Sequence, residues 1–163
     1  MCLCSFLAVS PLHAEPKVLG WLESIYLRPD ERLVTKLDTG ARTSSISATN
    51  ILLMEKDGKA WVGFTVPSKD SNYPGIYLER PLTRKTRVKQ HSGKSRPRYV
   101  VELDFCLAGK FYTAEFSLAN RDNFNYRVIL GRSMLQGNII VDPARKFTGG
   151  HECKAMPAGK TKP

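Results

Sequence analysis

The chain has no apolar run approaching the roughly 18 residues that span a bilayer, so no membrane-crossing helix is expected of it. Histidine is scarce: His13, His91 and His151 are the only three in 163 residues. None belongs to a His-Glu-x-x-His pattern, the spacing that sets two imidazoles one helical turn apart on a zinc ion. Cys106 and Cys153 are too distant from each other to form a cysteine zinc motif. The Gly-x-x-x-x-Gly-Lys-Ser/Thr loop that cradles nucleotide phosphates is missing as well. No metal and no cofactor are therefore expected. Helical periodicity is nearly absent, and there is no internal repeat, so the 163 residues read as one domain with a single core.

Acidic residues are the minority, 15 against 25 Lys and Arg, for a formal charge of +10. The excess is concentrated. Arg80, Arg84, Lys85, Arg87, Lys89, Lys94, Arg96 and Arg98 share one stretch, and no acid lies between Arg80 and Arg98. Such a block marks a solvated loop or an electrostatic docking surface for an acidic substrate. It has little aromatic interleaving and no recognisable nucleic-acid motif, so nucleic acid is not expected as a partner.

Residues 1–14 contain no charged side chain and include the apolar run Leu7-Ala8-Val9. They read as a signal peptide cleaved after Ala14, although no Lys or Arg opens it and Leu12 is large for its place before the cut. Export to the periplasm or beyond follows from that reading, and a cytoplasmic location from the alternative of a disordered N-terminus. A lipid-modified Cys4 is weakly supported, because the small-residue pattern before it is missing. Cleavage would leave Cys106 in an apolar strand pattern and Cys153 in a tail. In an oxidising compartment they can pair, but their settings read as a buried free thiol and an exposed one.

Short strands separated by turns fill most of the chain. Val18 to Leu27 and Arg32 to Leu37 are extended, parted by Arg28-Pro29-Asp30. Ile51 to Met54 and Ala60 to Val66 flank Asp57-Gly58, a strong hairpin signal. Ala60, Val62, Phe64 and Val66 alternate with less apolar neighbours, as a half-buried strand requires. A second pair, Arg98 to Leu107 and Lys110 to Leu118, turns at Ala108-Gly109 and places Tyr99, Val101, Leu103, Phe105 and Leu107 on one face. Arg127 to Leu130 and Ile139 to Val141 are short strands, with one or two helical turns over Arg132 to Leu135 between them. Residues 149–163 are rich in Gly, Lys and Pro and read as a disordered tail. The fold class is all-β with one short C-terminal helix.

The most informative residues are Asp38-Thr39-Gly40-Ala41 at the end of a strand, with Val128-Ile129-Leu130-Gly131-Arg132 much later. An Asp there, followed by a hydroxyl residue and a glycine, can be held by local hydrogen bonds with its carboxylate open to a cleft and a water. A glycine in the second segment lets backbone pass close behind the turn. The triplet alone also occurs by chance and in phosphate and metal sites. The two segments together point to an aspartic peptidase with one catalytic Asp, Asp38, per chain.

The order of these segments resembles that of a retropepsin, the single-lobed peptidase of retroviruses. Gly20-Trp21, Lys36 to Ser44, Asn120-Arg121-Asp122, Val128 to Arg132 and Val141 to Arg145 resemble more closely a bacterial family. It is known both as ATP-dependent zinc protease and as retropepsin-like aspartic endopeptidase, and is associated with ribosomal-protein glutamate ligases. The resemblance spans residues 18–147 and implies a single-lobe acid-protease barrel. Zinc and ATP dependence do not fit the motifs missing here.

A single lobe implies a homodimer whose two Asp38 side chains form the catalytic dyad. The resemblance also implies that Thr39 hydrogen-bonds to fix the turn, Gly40 admits close backbone and Ala41 leaves room for substrate. Gly131 and Arg132 support the site from behind. A flap hairpin falls around Val88 to Tyr99, with Lys89, His91, Gly93, Lys94, Arg96 and Arg98 in it, and a basic flap would favour acidic peptides. Arg42 stands where retroviral enzymes have an acid, so their substrate contacts do not transfer to it. The competing reading is a non-catalytic module that grips an extended peptide or an acidic polymer in the same cleft. A ribosome- or nucleic-acid-associated factor would rest on charge alone.

Overall fold

The computed structural model describes residues 15–68, 75–89, 95–150 and 153. The expected signal peptide over residues 1–14 lies outside them. Eleven strands and one helical turn follow in chain order: β1 (Lys17–Arg28), β2 (Glu31–Asp38), β3 (Ser44–Ser47), β4 (Thr49–Lys56), β5 (Lys59–Val66), β6 (Ile76–Pro81), β7 (Arg84–Lys89), β8 (Ser95–Leu107), β9 (Lys110–Ala119), β10 (Val128–Gly131), α1 (Arg132–Leu135) and β11 (Ile139–Lys146). The all-β class and the single short helix are as expected.

Eight strands form one sheet in the order β11-β1-β2-β10-β3-β9-β8-β7. A further pairing of β1 with β8, Ile25 opposite Leu107 and Tyr26 opposite Cys106, closes six of them into a barrel. Closure removes the free edges of those six strands, and β7 and β11 flank the barrel. Strands β4, β5 and β6 make a separate antiparallel sheet.

Turn chemistry explains two of the hairpins. Asp57 and Gly58 have φ of 51° and 70°, and Ala108 and Gly109 have 53° and 80°. Two successive residues with positive φ match the right-handed twist of the strands they join. On β5, Val62, Phe64 and Val66 are buried as the alternation requires, whereas Ala60, beside the hairpin turn, is exposed. On β8, Val101, Leu103, Phe105 and Leu107 pack inward as their period of two requires, and Phe105 meets Phe116 edge-on at 5.6 Å between ring centroids. Val100 and Cys106, on the opposite face of β8, are buried too.

The basic stretch departs from the solvated-loop reading. Arg84–Lys89 is β7, an edge strand paired with the start of β8 from Lys89 opposite Ser95 to Arg84 opposite Val100. An edge strand has one side free of partners and carries charge without a desolvation penalty, so a basic run fits there. Strand β3 is also absent from the sequence reading, because Ser44, Ser45 and Ser47 look like a polar turn. All three are buried. Their hydroxyls are satisfied: Ser45 Oγ donates to the Ser117 carbonyl, and Ser44 Oγ and Ser47 Oγ accept the amides of Gly131 and Arg121.

The free-thiol reading is overturned. Cys106 and Cys153 form a disulfide across 47 residues of sequence, and both are buried beside Tyr26. The segment leading to Cys153 is tied down first. The Phe147 amide donates to the Leu22 carbonyl at 2.7 Å. The buried Glu23 carboxylate then accepts the amides of Gly20, Thr148 and Gly149 and the Thr148 hydroxyl. A carboxylate removed from water needs such donors to offset its desolvation. These bonds bring the chain back over β1, where Cys106 lies opposite Tyr26. Apart from Cys153, residues beyond 150 lie outside the described region.

Candidate active site

Asp38 is the last residue of β2, and β10 runs parallel beside it with Leu130 opposite Leu37 and Gly131 opposite Asp38. The two segments singled out in the sequence are thus neighbours. Beyond Asp38 the chain turns sharply. The Gly40 amide donates to Asp38 Oδ1 at 3.0 Å, and the Ala41 amide donates to the Asp38 carbonyl at 3.2 Å. One carboxylate oxygen is therefore held by its own loop, and Oδ2 faces the Lys36 ammonium at 3.4 Å.

Arg132 clamps this loop from behind. Its Nη1 donates to the carbonyls of Thr39 at 2.8 Å and Gly40 at 3.0 Å, and its backbone amide donates to the Ala41 carbonyl at 2.8 Å. Ser133 extends the clamp, its amide and hydroxyl both donating to the Arg42 carbonyl. The turn is held through the Thr39 carbonyl. The Thr39 hydroxyl has no hydrogen-bond partner among the described residues. Thr39 and Gly40 are exposed, and Ala41 is half-buried.

Gly131 admits the loop. A Cβ built there would stand 2.7 Å from the Thr43 carbonyl carbon and 2.8 Å from the Arg42 carbonyl oxygen. Both atoms are backbone and can yield only if the loop moves. Gly131→Ala is therefore expected to destabilise the protein by about 1–3 kcal/mol through overpacking and to displace the Asp38 loop. Thermal melting checks the first effect, and loss of the Gly40 amide's protection in hydrogen exchange checks the second.

The basic hairpin lies across from this loop. Arg84 and Thr86 of β7 share a polar cavity of about 460 Å³ with Arg42 and Thr43, and Glu115 and Ser133 complete its lining. Arg84 is anchored there by Glu115, with Nη2 donating at 2.6 Å and Nε at 3.1 Å to the same carboxylate oxygen. Among the expected flap residues, Lys89 ends β7 and Arg96 lies near the start of β8. Arg98 is half-buried on β8, and burial pushes its guanidinium below its usual value. His91, Gly93 and Lys94 lie outside the described residues.

Two residues near Asp38 were not assigned a role from sequence. Arg121, on the β9–β10 connection, is 8% exposed. Its Nε donates to the Tyr126 carbonyl, and its guanidinium lies 4.6 Å from the Phe124 ring centroid. Burial pushes its pKa down, Arg98 acts in the same direction and Asp38 opposes both, so the three charges belong to one electrostatic neighbourhood. Lys36 is the second. Strand alternation alone puts it on the face of Asp38, a signal available in the sequence.

The sequence profile of the RimB-like family, described as "Retropepsin-like aspartic endopeptidase RimB", matches residues 18–152. A "Probable alpha-L-glutamate ligase" of Desulfotalea psychrophila is 36% identical over 120 residues, covering 73% of this chain and 26% of the relative. One of the same name from Shewanella pealeana is 35% identical over 118 residues, covering 72% and 26%. The chain thus spans about a quarter of the length of the curated relatives it matches. The crystal structure of Lpg0085 from Legionella pneumophila, a DUF785 protein of unknown function, superposes with a TM-score of 0.72 at 34% identity, covering 82% of this chain and 98% of that one.

Proposed function

This chain belongs to the RimB-like family of retropepsin-like aspartic endopeptidases, and from that premise we propose that it hydrolyses peptide bonds with Asp38 as the catalytic carboxylate. The observation that carries the reading is the Asp38 loop itself. One carboxylate oxygen is fixed by the Gly40 amide, the loop is clamped by Arg132, and the other oxygen is open to a neighbouring cation and to solvent. A carboxylate held in this way can take a proton from a water as that water attacks a carbonyl.

The second carboxylate of the dyad is proposed to come from a second copy of the chain. The exposed Thr39 and Gly40, next to Asp38 in its loop, support a contact between loops across a two-fold axis. Two carboxylates brought together share one proton and titrate as a unit, so one serves as base and the other as acid. The relatives named as ligases are about four times as long as the matched segment. We assign the hydrolytic role to the segment shared with them. This chain has no nucleotide-phosphate loop in its sequence.

Arg121 and Arg98, which share the electrostatic neighbourhood of Asp38, and Arg42 at the polar cavity support a preference for acidic peptides. The Cys106–Cys153 disulfide supports folding in an oxidising compartment and hence the exported reading. A peptide library incubated with the purified protein tests substrate class and mechanism together. Cleavage is expected to persist in a metal chelator, to concentrate at Asp- and Glu-containing peptides, and to track the dimer in sedimentation. Turnover lost to chelation and restored by zinc would refute the carboxylate mechanism, and full activity in a strict monomer would refute the shared dyad.

A further inference from the structure

We infer that Arg121 is a specificity-determining residue of this site, its guanidinium anchoring a side-chain carboxylate of the bound peptide; the role rests on the reading of Asp38 as the centre of a peptide-binding site. Arg121 is 8% exposed. A cation so far out of water is costly to keep unless its charge is met. The fold meets little of it. The Arg121 amide donates to Ser47 Oγ, and Nε donates to the Tyr126 carbonyl at 3.0 Å. The guanidinium lies 4.6 Å from the Phe124 ring centroid. None of the ion pairs among the described residues includes it.

Nη1 and Nη2 of Arg121 have no acceptor among the described residues. Neither is sealed from solvent, since Thr35 Oγ1 is the one fully buried side-chain polar atom there without a partner. The two nitrogens therefore reach solvent from a buried stem whose Nε is already held. What remains is an end-on fork of donors, matched to the two oxygens of a carboxylate. Because the fold has already fixed the side chain, little freedom is lost when a ligand arrives.

The electrostatic surroundings favour an anion. Burial pushes the Arg121 pKa down, and Arg98, itself half-buried, acts in the same direction. Asp38 opposes both without forming an ion pair with Arg121. Its own oxygens are engaged elsewhere, Oδ1 by the Gly40 amide and Oδ2 beside Lys36. A carboxylate brought by the peptide would offset the desolvation of Arg121 and its repulsion from Arg98.

The neighbouring arginines are already committed. The Arg132 guanidinium is occupied by the Thr39 and Gly40 carbonyls, and Arg84 is spent on Glu115. Arg121 is the buried cation with donors to spare.

Binding tests the anchor separately from turnover. The full chain carrying Asp38→Asn is titrated, by fluorescence anisotropy, into labelled peptides blocked at both ends, each with one Glu at a different position, and into the same peptides with Gln. A hydrogen-bonded charge pair of this kind is worth about tenfold in Kd, so at one position Gln is expected to bind about tenfold more weakly than Glu. Adding Arg121→Met is expected to bring the two within about twofold. Arg121→Lys, which keeps the charge and loses the fork, is expected to retain a reduced preference, and thermal melting shows that each variant is folded. Wild-type protein is expected to cut the same peptides at a fixed distance from the anchored Glu. A folded Arg121→Met that keeps the full preference for Glu overturns the proposal, as does the absence of any such preference while Arg121 is intact. Tighter binding of neutral peptides once their C-terminus is freed, with none for internal Glu, overturns it in favour of a terminal carboxylate. An Arg121-dependent preference for Glu in a protein whose wild type cuts no peptide upholds the anchor, and the hydrolytic reading alone falls.

Discussion

Asp38→Asn is expected to reduce peptide turnover by on the order of a thousandfold or more, since a positioned general base contributes about 10²–10⁴-fold and no other carboxylate in the chain stands in this loop. The amide is nearly isosteric, and its carbonyl oxygen can still accept the Gly40 amide, so the turn keeps its internal bond. The lost ion pair with Lys36 is partly exposed, which limits its worth to about 0–1 kcal/mol. The variant should therefore melt close to the wild type and remain able to bind peptide. Turnover assays paired with thermal melting separate chemistry from folding. A folded variant that keeps a tenth of wild-type turnover would remove Asp38 from the role of base.

Reduction of the Cys106–Cys153 bridge is expected to cost about 4 kcal/mol, by the loop-entropy relation for its 47-residue separation. In a protein of this size that corresponds to a fall of roughly 10 °C in melting temperature. The bridge adds to the Glu23 clamp, in which four donors converge on one buried carboxylate. The strap over β1 should therefore remain docked in part when the bridge is opened. Cys153→Ser should melt at the lower temperature with or without reductant. Melting curves that coincide before and after complete reduction, verified by thiol titration, would contradict this account.

The legible parts of the chain were the local ones. Asp57-Gly58 and Ala108-Gly109 announced their hairpins because two left-handed residues in succession suit few other structures. The alternation on β5 and β8 marked their buried faces. Asp38-Thr39-Gly40 and the later Gly131-Arg132 are legible as separate pieces, and so is the helical turn over Arg132 to Leu135. Strand β3 is not legible in the sequence, since its serines become buried only when β9, β10 and the Arg121 amide supply partners. The basic run hid β7 because charge on an edge strand leaves no hydrophobic period to read.

By itself the amino-acid sequence determined an all-β chain with a carboxylate on a tight turn, for turn conformation and side-chain alternation depend on residues a few positions apart. Tertiary structure alone decided what surrounds that carboxylate. Arg132 reaches the Thr39 carbonyl across 93 residues, Ser44 meets the Gly131 amide across 87, and Cys106 finds Cys153 across 47. Such contacts follow from which strands pair and in what register, and barrel closure sets that register through packing of the whole core.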